Sequence, residues 1–306
     1  MEQKELTNGL NIDAEKVTAR LETSLKDSME EMGREGMVLG LSGGLDSAVI
    51  AYLCRKILPG DKIKALIMPE KETSKENMKD AVNLAKHLKI NYHIIYLDAY
   101  LESARVRFPI PFLNYKLKAR LVRFFYRKLK EKTGETPYLT LLKGARGHSF
   151  KKYLNKGTAN YRFKHRLRLT FLYQAAEENN SLAVGAANKT EHMTGFFVKF
   201  GIDHNSDIMP LLDLYKTQVT QIAQHIGVPE KIIHKAPTPD MIPGITDEMT
   251  FELPYSELDK ILYGIENNIP LKGKLKENQA YVKALIDNSA HMRKMEVPVF
   301  SENKKE

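Results

Sequence analysis

Apolar residues in the first hundred positions follow two alternating periods. Short continuous apolar runs predict strands at 37–42, 63–68 and 92–97, the first of them buried. Apolar residues at helical spacing predict helices at 13–32, at about 47–57 and from Met78 to Leu88, and Asp13 is in place to cap the first. Strands that alternate with helices indicate βαβ units. We therefore predict an α/β fold with a doubly wound, mostly parallel sheet of the Rossmann-like kind.

The alternation stops near residue 100 and resumes near residue 160. Beyond it, the same two periods predict a helix, a strand and two further helices at about 163–178, 181–186, about 215–226 and 277–292. We expect a single domain over residues 1–306, interrupted by a basic helical insert at about 101–160, which we call the basic insert.

The stretch 114–134 inside the basic insert is amphipathic. Its apolar residues share one side, and basic residues surround the rest: Leu117, Leu121, Phe124, Phe125 and Leu129. Two interpretations remain open. The stretch is either a surface helix packed on the main body or a docking face for a partner subunit or an RNA.

Charge is distributed unevenly along the chain. The net charge is +9 over 306 residues, but the segment 101–170 alone holds 19 Lys and Arg against 3 Asp and Glu. The remainder holds 28 basic and 35 acidic residues and is therefore mildly acidic. A segment this basic needs its own explanation, which is a polyphosphate substrate, a nucleic acid or an acidic partner.

Composition excludes several classes of protein. No apolar run approaches the ~18 residues of a membrane span, and the polar start of the chain lacks the apolar core of a secretory signal. The single cysteine, Cys54, allows no disulfide framework and is expected as a buried helix residue. The nine histidines show no zinc-site spacing. We expect a cytoplasmic protein with no membrane partner.

The sequence SGGLDS at 42–47, which we call the glycine loop, joins the first predicted strand to a helix. Backbone N–H groups and the positive end of the helix dipole would face an anion there, and Gly43 and Gly44 allow close approach to phosphate. Ser42 and Ser47 can donate hydroxyl hydrogen bonds. The loop lacks the G-K-[ST] ending of a Walker A loop.

Asp46 gives this loop its chemistry. A carboxylate beside phosphate is repulsive unless a cation lies between them, and Mg²⁺ is the usual cation. The alternative is that Gly, Gly, Asp and Ser only cap a helix. The order S-G-G-x-D-S after a first strand resembles the loop of N-type ATP pyrophosphatases, which cleave ATP between the α and β phosphates. This resemblance accounts for the missing lysine, because no γ-phosphoryl group is transferred.

Four later blocks resemble ammonia-dependent NAD synthetase in order and spacing: 67–88, 166–201, 207–219 and 234–248. The resemblance covers about 37–100 and 160–298. It implies an α/β homodimer that uses MgATP to adenylate the nicotinate carboxylate of deamido-NAD, after which ammonia attacks to give NAD, AMP and pyrophosphate. The chain leaves no room for a glutaminase domain, so ammonia is expected to come free or from a separate amidase.

The resemblance assigns roles to individual residues. It implies that Asp46 and Glu191 are the Mg²⁺ carboxylates and that Lys216 contacts ATP phosphates, so these three are the candidate catalytic residues. The implied ATP-binding residues are Ser42, Gly43, Gly44, Leu45, Asp46, Ser47, Lys216 and Thr238. Arg166 resembles the family's substrate-binding arginine, with Arg168 beside it. For Arg168 and Thr238, a surface charge and a turn residue remain open as alternatives.

The acceptor side departs from the family's pattern. The Y-G-D-G-G loop of the family stands here as FGIDHNSD at 200–207, where Asp203 and Asp207 are the candidate substrate-binding acids. Arg162 replaces an asparagine, and its guanidinium fork suits a pyrophosphate-bearing substrate. A related ligase for another anionic carboxylate and a tRNA-modifying enzyme remain alternatives. We expect no nucleic acid partner, and a non-enzymatic binding module is the weakest interpretation.

Overall fold

A computed structural model of the chain describes residues 2–106, 113–144, 151–202, 204–238 and 242–294. It contains a four-stranded, fully parallel sheet in the order β3–β2–β1–β4. The strands are β1 Gly36–Gly40, β2 Ile63–Ile67, β3 Asn91–Ile94 and β4 Ser181–Val184. The predicted α/β class with a parallel sheet is confirmed, and the strands are shorter than the apolar runs that predicted them.

Fourteen α-helices surround the sheet within the described ranges. Those in the first half are α1 Glu2–Leu10, α2 Ala14–Glu31, α3 Leu45–Ile57, α4 Lys75–His87, α5 Asp98–Ser103, α6 Tyr115–Thr133 and α7 Pro137–Leu142. Those in the second half are α8 Lys151–Glu178, α9 Lys189–Thr194, α10 Lys216–His225, α11 Glu230–Ile233, α12 Asp247–Phe251, α13 Tyr255–Glu266 and α14 Gly273–Arg293. None of these helices is long and apolar enough to cross a membrane.

Alternate residues of β1 face two different cores, which is the signature of a doubly wound sheet. Met37 and Leu39 pack into a core shared with α2, α3, α4 and α10. Val38 packs on the other side, against Leu172 of α8. A third core lies away from the sheet and joins α1, α7, α13 and α14. The sheet therefore fixes the glycine loop, while the third core carries α13 and α14 beside it.

The helix α6 buries different residues from those its pattern predicts. Its apolar side is largely exposed, with Leu117 at 46%, Phe124 at 45% and Phe125 at 59% of their accessible surface, whereas Lys118 and Ala119 are buried. The helix thus packs on the main body, as the first of the two open interpretations has it, but its apolar side is not the side in contact, and the docking face stays a prediction. Contact with the body runs through Ala119, because a Cβ on Gly244 would lie only 2.6 Å from the Cβ of Ala119.

Part of the charge of the basic segment 101–170 is neutralised inside the protein. Lys118 Nζ lies 2.8 Å from Glu72 Oε1, and both side chains are more than nine-tenths buried. Lys164 of α8 lies 2.6 Å from Glu70 Oε2 and 3.8 Å from Glu72 Oε2. Both glutamates belong to the loop between β2 and α4. The basic insert is thereby joined to a loop at the carboxyl edge of the sheet.

The buried pair predicts an unequal effect of two neighbouring lysines on stability. We expect Lys118→Ala to lower the free energy of unfolding by about 3 kcal/mol, because Glu72 would keep a buried charge with a weaker partner. Lys116→Ala removes the same charge from an exposed position of the same helix and should change stability by about 0.5 kcal/mol or less. Urea unfolding of both variants measures the difference. Equal losses would contradict the buried pair.

Candidate active site

A cavity of about 370 Å³ opens at the carboxyl edge of the parallel sheet, where ligands of doubly wound folds bind. The glycine loop forms one wall, and the first turns of several helices form the others. Its lining includes these predicted site residues: Ser42, Gly44, Leu45, Asp46, Ser47, Glu191, Lys216 and Thr238. The structure thus collects in one place residues that are up to 196 positions apart in the sequence.

The glycine loop requires glycine most strictly at position 43. Gly43 has φ = +80°, and a Cβ there would lie 2.3 Å from the carbonyl oxygen of Asn77. Gly44 is the N-cap of α3 and has φ = −93°, so glycine is not required there by a left-handed conformation. Its missing side chain instead leaves the loop backbone exposed. Both constraints place the loop backbone tightly between α3 and α4.

Two serines hold the loop closed. The Oγ atoms of Ser42 and Ser47 lie 3.0 Å apart, and Ser47 Oγ also accepts from the Ser42 N–H and donates to the Gly44 carbonyl. Gly44 N–H donates to Ser42 Oγ at 3.2 Å. The hydroxyls predicted to face phosphate therefore also build the loop itself.

Lys235 secures the outer side of the same loop. Its Nζ donates to the Gly43 carbonyl at 3.0 Å and to Asn77 Oδ1 at 2.9 Å, and it forms an ion pair with Asp80. Lys235 lies three residues before Thr238, so the segment that carries Thr238 is anchored to the glycine loop. The sequence analysis did not find Lys235, since no local pattern distinguishes it from a surface lysine.

The three candidate catalytic residues meet around a buried asparagine. Asn188 Nδ2 donates to Asp46 Oδ1 at 3.3 Å, and Asn188 Oδ1 accepts from the Glu191 N–H at 3.0 Å as the N-cap of α9. Lys216 Nζ forms an ion pair with Asp46. Asn188 was missed, although N-x-x-E before a helix is a recognisable capping pattern.

Lys216 stays charged in spite of its burial. Burial alone would lower the pKa of Lys216, but the carboxylates of Asp46 and Glu191 outweigh that effect and hold the pKa well above its usual range. Its Nζ also lies 5.5 Å from the centre of the Tyr255 ring. The cavity therefore contains a fixed positive charge that does not titrate near neutral pH.

Asp247 is a further buried carboxylate that the sequence analysis missed. Its Oδ2 accepts from the Tyr255 hydroxyl at 3.0 Å, while its Oδ1 is buried and accepts no hydrogen bond from any described residue. Burial raises the pKa of Asp247 to about 6, an effect that Lys216 only partly offsets. Both Asp247 and Glu248 line the cavity. On this side of the cavity, four carboxylates therefore surround the single ammonium group of Lys216.

The donor set fits Mg²⁺ bound together with phosphate. Asp46 and Glu191 offer carboxylate oxygens, which are hard ligands, and the orphaned Oδ1 of Asp247 adds unbalanced negative charge nearby. Within the described residues, no group of three or more acidic, histidine or cysteine side chains could hold a metal ion by itself. Mg²⁺ usually takes one or two carboxylates and completes its shell with water and phosphate oxygens.

The acceptor-side arginines are distributed differently from the expectation. His165 and Arg168 of α8 line the cavity, and Arg168 donates to the Met68 carbonyl at 3.1 Å. Arg162 and Arg166 do not line it. Arg166 is exposed and donates to the Lys199 carbonyl at 3.3 Å, and burial together with the charge of Arg166 lowers the pKa of Arg162.

Of the two candidate acids of the 200–207 loop, the structure describes only Asp207. Asp203 lies outside the described residues. Asp207 does not line the cavity, because its Oδ1 accepts from the Tyr173 hydroxyl at 3.0 Å and its Oδ2 from the Ala183 N–H at 2.8 Å. In this structure Asp207 ties the loop to α8 and β4.

Comparison with protein families gives one match that spans most of the chain. The sequence model of the family described as NAD synthase matches residues 17–120 and 135–296. Only 121–134 of the basic insert falls between the two matched ranges.

Two curated relatives show the extent of the similarity. The NH3-dependent NAD+ synthetase of Thermotoga maritima is 39% identical over 278 residues, which cover 90% of this chain and 95% of the relative. The corresponding protein of Archaeoglobus fulgidus is 34% identical over 92% of this chain and 95% of its own length.

Solved structures show the same fold. An NMN synthetase from Francisella tularensis superposes with a TM-score of 0.69 at 27% identity and covers 94% of this chain and 99% of its own. The NH3-dependent NAD synthetase from Campylobacter jejuni gives a TM-score of 0.66 at 23% identity, covering 95% of this chain and 100% of its own.

The raised pKa of Asp247 predicts a pH-dependent effect on stability. Its unfolded pKa is about 3.9, so the stability that this carboxyl contributes is fully present below that value and is lost as the pH rises through about 6. We expect Asp247→Asn, measured without Mg²⁺ or ATP, to stabilise the protein by about 2 kcal/mol at pH 8 and by less at pH 5.

Thermal unfolding at the two pH values provides the measurement. Asp213→Asn is the control, because Asp213 is exposed and its replacement should have the same small effect at both values. A variant of Asp247 that is less stable than the wild type at pH 8 would contradict the burial of an uncompensated charge.

Proposed function

We propose, from the premise that this chain belongs to the NAD synthase family, that its cavity is the site where ATP activates a carboxylate for amidation. The chain is a ligase that forms a carbon–nitrogen bond and converts deamido-NAD to NAD in an ATP-dependent reaction. The observation that carries this assignment is the convergence of Asp46, Glu191 and Lys216 on the glycine loop.

The glycine loop would hold the departing pyrophosphate. Its backbone N–H groups at the start of α3 and the hydroxyls of Ser42 and Ser47 suit phosphate oxygens, and Leu45 lines the same wall. Thr238 would contact ATP from the opposite side. Lys216 would supply, from α10, the positive charge that a Walker lysine supplies elsewhere, and would face the α and β phosphates rather than a γ-phosphoryl group.

Asp46 and Glu191 would hold Mg²⁺ together with phosphate oxygens. When bound, the ion neutralises negative charge on the phosphates as the α–β bond breaks. Asn188 keeps the two carboxylates at a fixed separation by bonding to both residues. Lys216, which pairs with Asp46 in this structure, would turn to the phosphates that it binds.

The chemistry needs no protein nucleophile. A carboxylate oxygen of the acceptor attacks the α-phosphorus, and the bond to the β-phosphate oxygen breaks to release pyrophosphate. The ammonia nitrogen then attacks the acyl carbon, AMP leaves with the bridging oxygen, and the nitrogen loses a proton. The protein aligns the carboxylate of the acceptor with the α-phosphate of ATP. It also stabilises the developing negative charge through Lys216 and the loop N–H groups.

The acceptor would extend along α8. His165 and Arg168 line the cavity at this side, and Arg162 and Arg166 continue the positive charge outward on the same helix. Such a row suits an acceptor that carries phosphates. The similarity to an NMN synthetase favours one second candidate, the mononucleotide counterpart of deamido-NAD. Asp203 remains a candidate for holding ammonium at the acceptor end.

A second copy of the chain is the proposed partner. The apolar side of α6 is exposed, α8 also carries the exposed aromatic residues Tyr153 and Phe163, and exposed apolar patches mark interaction surfaces. We propose that this surface joins two copies in a homodimer. We further propose a cytoplasmic location, ammonia that arrives free or from a separate amidase, and no nucleic acid partner.

The first test is the identity of the products. With deamido-NAD, MgATP and ammonium, we expect NAD, AMP and pyrophosphate. Asp46→Asn and Glu191→Gln should each lower kcat by about 10²–10³-fold and weaken ATP binding much less, because they remove groups that act on developing charge. Chromatographic quantification of the nucleotides measures the products, and ADP with phosphate as main products would contradict the assignment.

The second test separates the two acceptors. Nicotinate mononucleotide and deamido-NAD compete in one assay, and we expect a larger kcat/KM for deamido-NAD. Arg166→Ala should raise KM for the preferred acceptor with little change in KM for ATP. Preference for the mononucleotide would retain the adenylation chemistry and replace the acceptor.

If the protein is a homodimer, one substitution in the interface should halve the mass of the particle in solution. We expect Phe125→Glu to convert the protein to a monomer at micromolar concentration, because it places a charge in an apolar interface. Met32→Glu, an equally drastic change at an exposed residue on α2's end, should leave the mass unchanged. Sedimentation velocity measures both, and a wild type that sediments as a monomer would contradict the proposal.

A further inference from the structure

Asp259 is a buried carboxylate that lies outside the cavity yet joins two of the helices that form it. It belongs to α13 and has no accessible surface. Its Oδ1 accepts from the Thr190 hydroxyl at 2.6 Å, and its Oδ2 accepts from the Thr217 N–H at 2.8 Å. Thr190 Oγ1 in turn accepts from the Lys216 N–H at 2.9 Å.

These bonds connect the first turns of α9 and α10. Thr190 immediately precedes Glu191 in α9, and Lys216 and Thr217 are the first two residues of α10. The first N–H groups of a helix have no partner within it. At α10 two of them are satisfied from outside, by Thr190 and by Asp259, so the position of Lys216 is tied to the position of Glu191.

Burying the carboxylate of Asp259 costs free energy, which indicates that the position of this side chain is important for the site. Burial raises the pKa of Asp259 to about 6. No described Lys or Arg forms an ion pair with Asp259, so its charge is compensated only by hydrogen bonds and the more distant Lys216. A buried charge without an ion partner destabilises a fold unless its hydrogen bonds are well formed.

We propose that Asp259 and Thr190 are positioning residues, which lock α9 to α10 so that Glu191 and Lys216 address the same phosphates of MgATP. This inference rests on the proposed function for the identity of the nucleotide. It requires neither residue to touch the substrate.

Thr194 provides a matched control. It lies in the same helix, one turn after Thr190, is also fully buried, and its hydroxyl donates to the Thr190 carbonyl at 2.7 Å. Replacing either threonine by valine removes one buried hydroxyl and preserves the branched shape. Only the change at Thr190 breaks the connection to Asp259 and Lys216.

The test compares Thr190→Val, Thr190→Ser, Asp259→Asn and Thr194→Val in the full chain. We expect Thr190→Val and Asp259→Asn to lower kcat for NAD formation by about 10- to 100-fold, since small misplacements of catalytic groups have effects of this size. Thr190→Ser restores the hydroxyl and should recover to within about threefold of the wild type, as should Thr194→Val.

A binding measurement separates this inference from the proposed function. Calorimetric Kd values for ATP are determined with and without Mg²⁺, and urea unfolding reports stability. We expect Thr190→Val to weaken ATP binding about tenfold with Mg²⁺ and less than about threefold without it, while Thr194→Val changes neither. If the wild type binds MgATP but makes no NAD, the acceptor assignment fails and the binding data alone decide the inference.

Two outcomes overturn the inference. One is that Thr190→Val retains kcat and Mg²⁺-dependent ATP affinity within about threefold of the wild type. The other is that Thr190→Val and Thr194→Val lose function in equal measure for equal losses of stability, which would make both roles structural. If Thr190→Val does not fold, the same two criteria are applied to Asp259→Asn. That variant keeps one of the two bonds, because the amide oxygen of asparagine can still accept from the Thr217 N–H.

Discussion

The ion pair between Lys216 and Asp46 is the interaction on which the arrangement of the cavity depends. Asp46, Glu191, Asp247 and Glu248 line one side of it, and like charges at such proximity repel. Lys216 reduces this repulsion because its ammonium lies among them and its pKa is held above the usual range. The remaining negative charge on this side suits a ligand that brings cations, and a nucleotide bound with Mg²⁺, as proposed above, is such a ligand.

Helix N-termini supply the four carboxylates of this cavity, together with Lys216 and Tyr255. Asp46, Glu191, Lys216, Asp247 and Tyr255 each lie in the first turn of a helix. The N–H groups and dipoles of these turns favour anions. A site assembled in this way depends on helices held at fixed distances, so buried residues such as Asn188 and Asp259 matter as much as those that face the substrate.

The basic insert is better understood as two surfaces than as one charged region. On the inner surface, Lys118 neutralises Glu72 beside the cavity, and Lys164, just beyond the insert, neutralises Glu70. On the outer surface, the aromatic side chains of α6 are exposed. A count of charges treats all lysines alike, although some belong to the core and others to an interaction surface.

The sequence by itself determined the parallel sheet, the helices that alternate with its strands, and the glycine loop, because strand and helix periods and loop chemistry are local properties of neighbouring residues. It also predicted Asp46, Glu191 and Lys216 as site residues, through ordered blocks that resemble a known family, and the structure brings these three to one cavity. Only the tertiary structure decided which face of α6 is buried, since amphipathic spacing does not specify what a helix packs against. The roles of Asp247 and Asp259 were likewise decided by tertiary structure: burial and distant hydrogen-bond partners set the pKa and geometry of a carboxylate, and neither is encoded in its immediate neighbours.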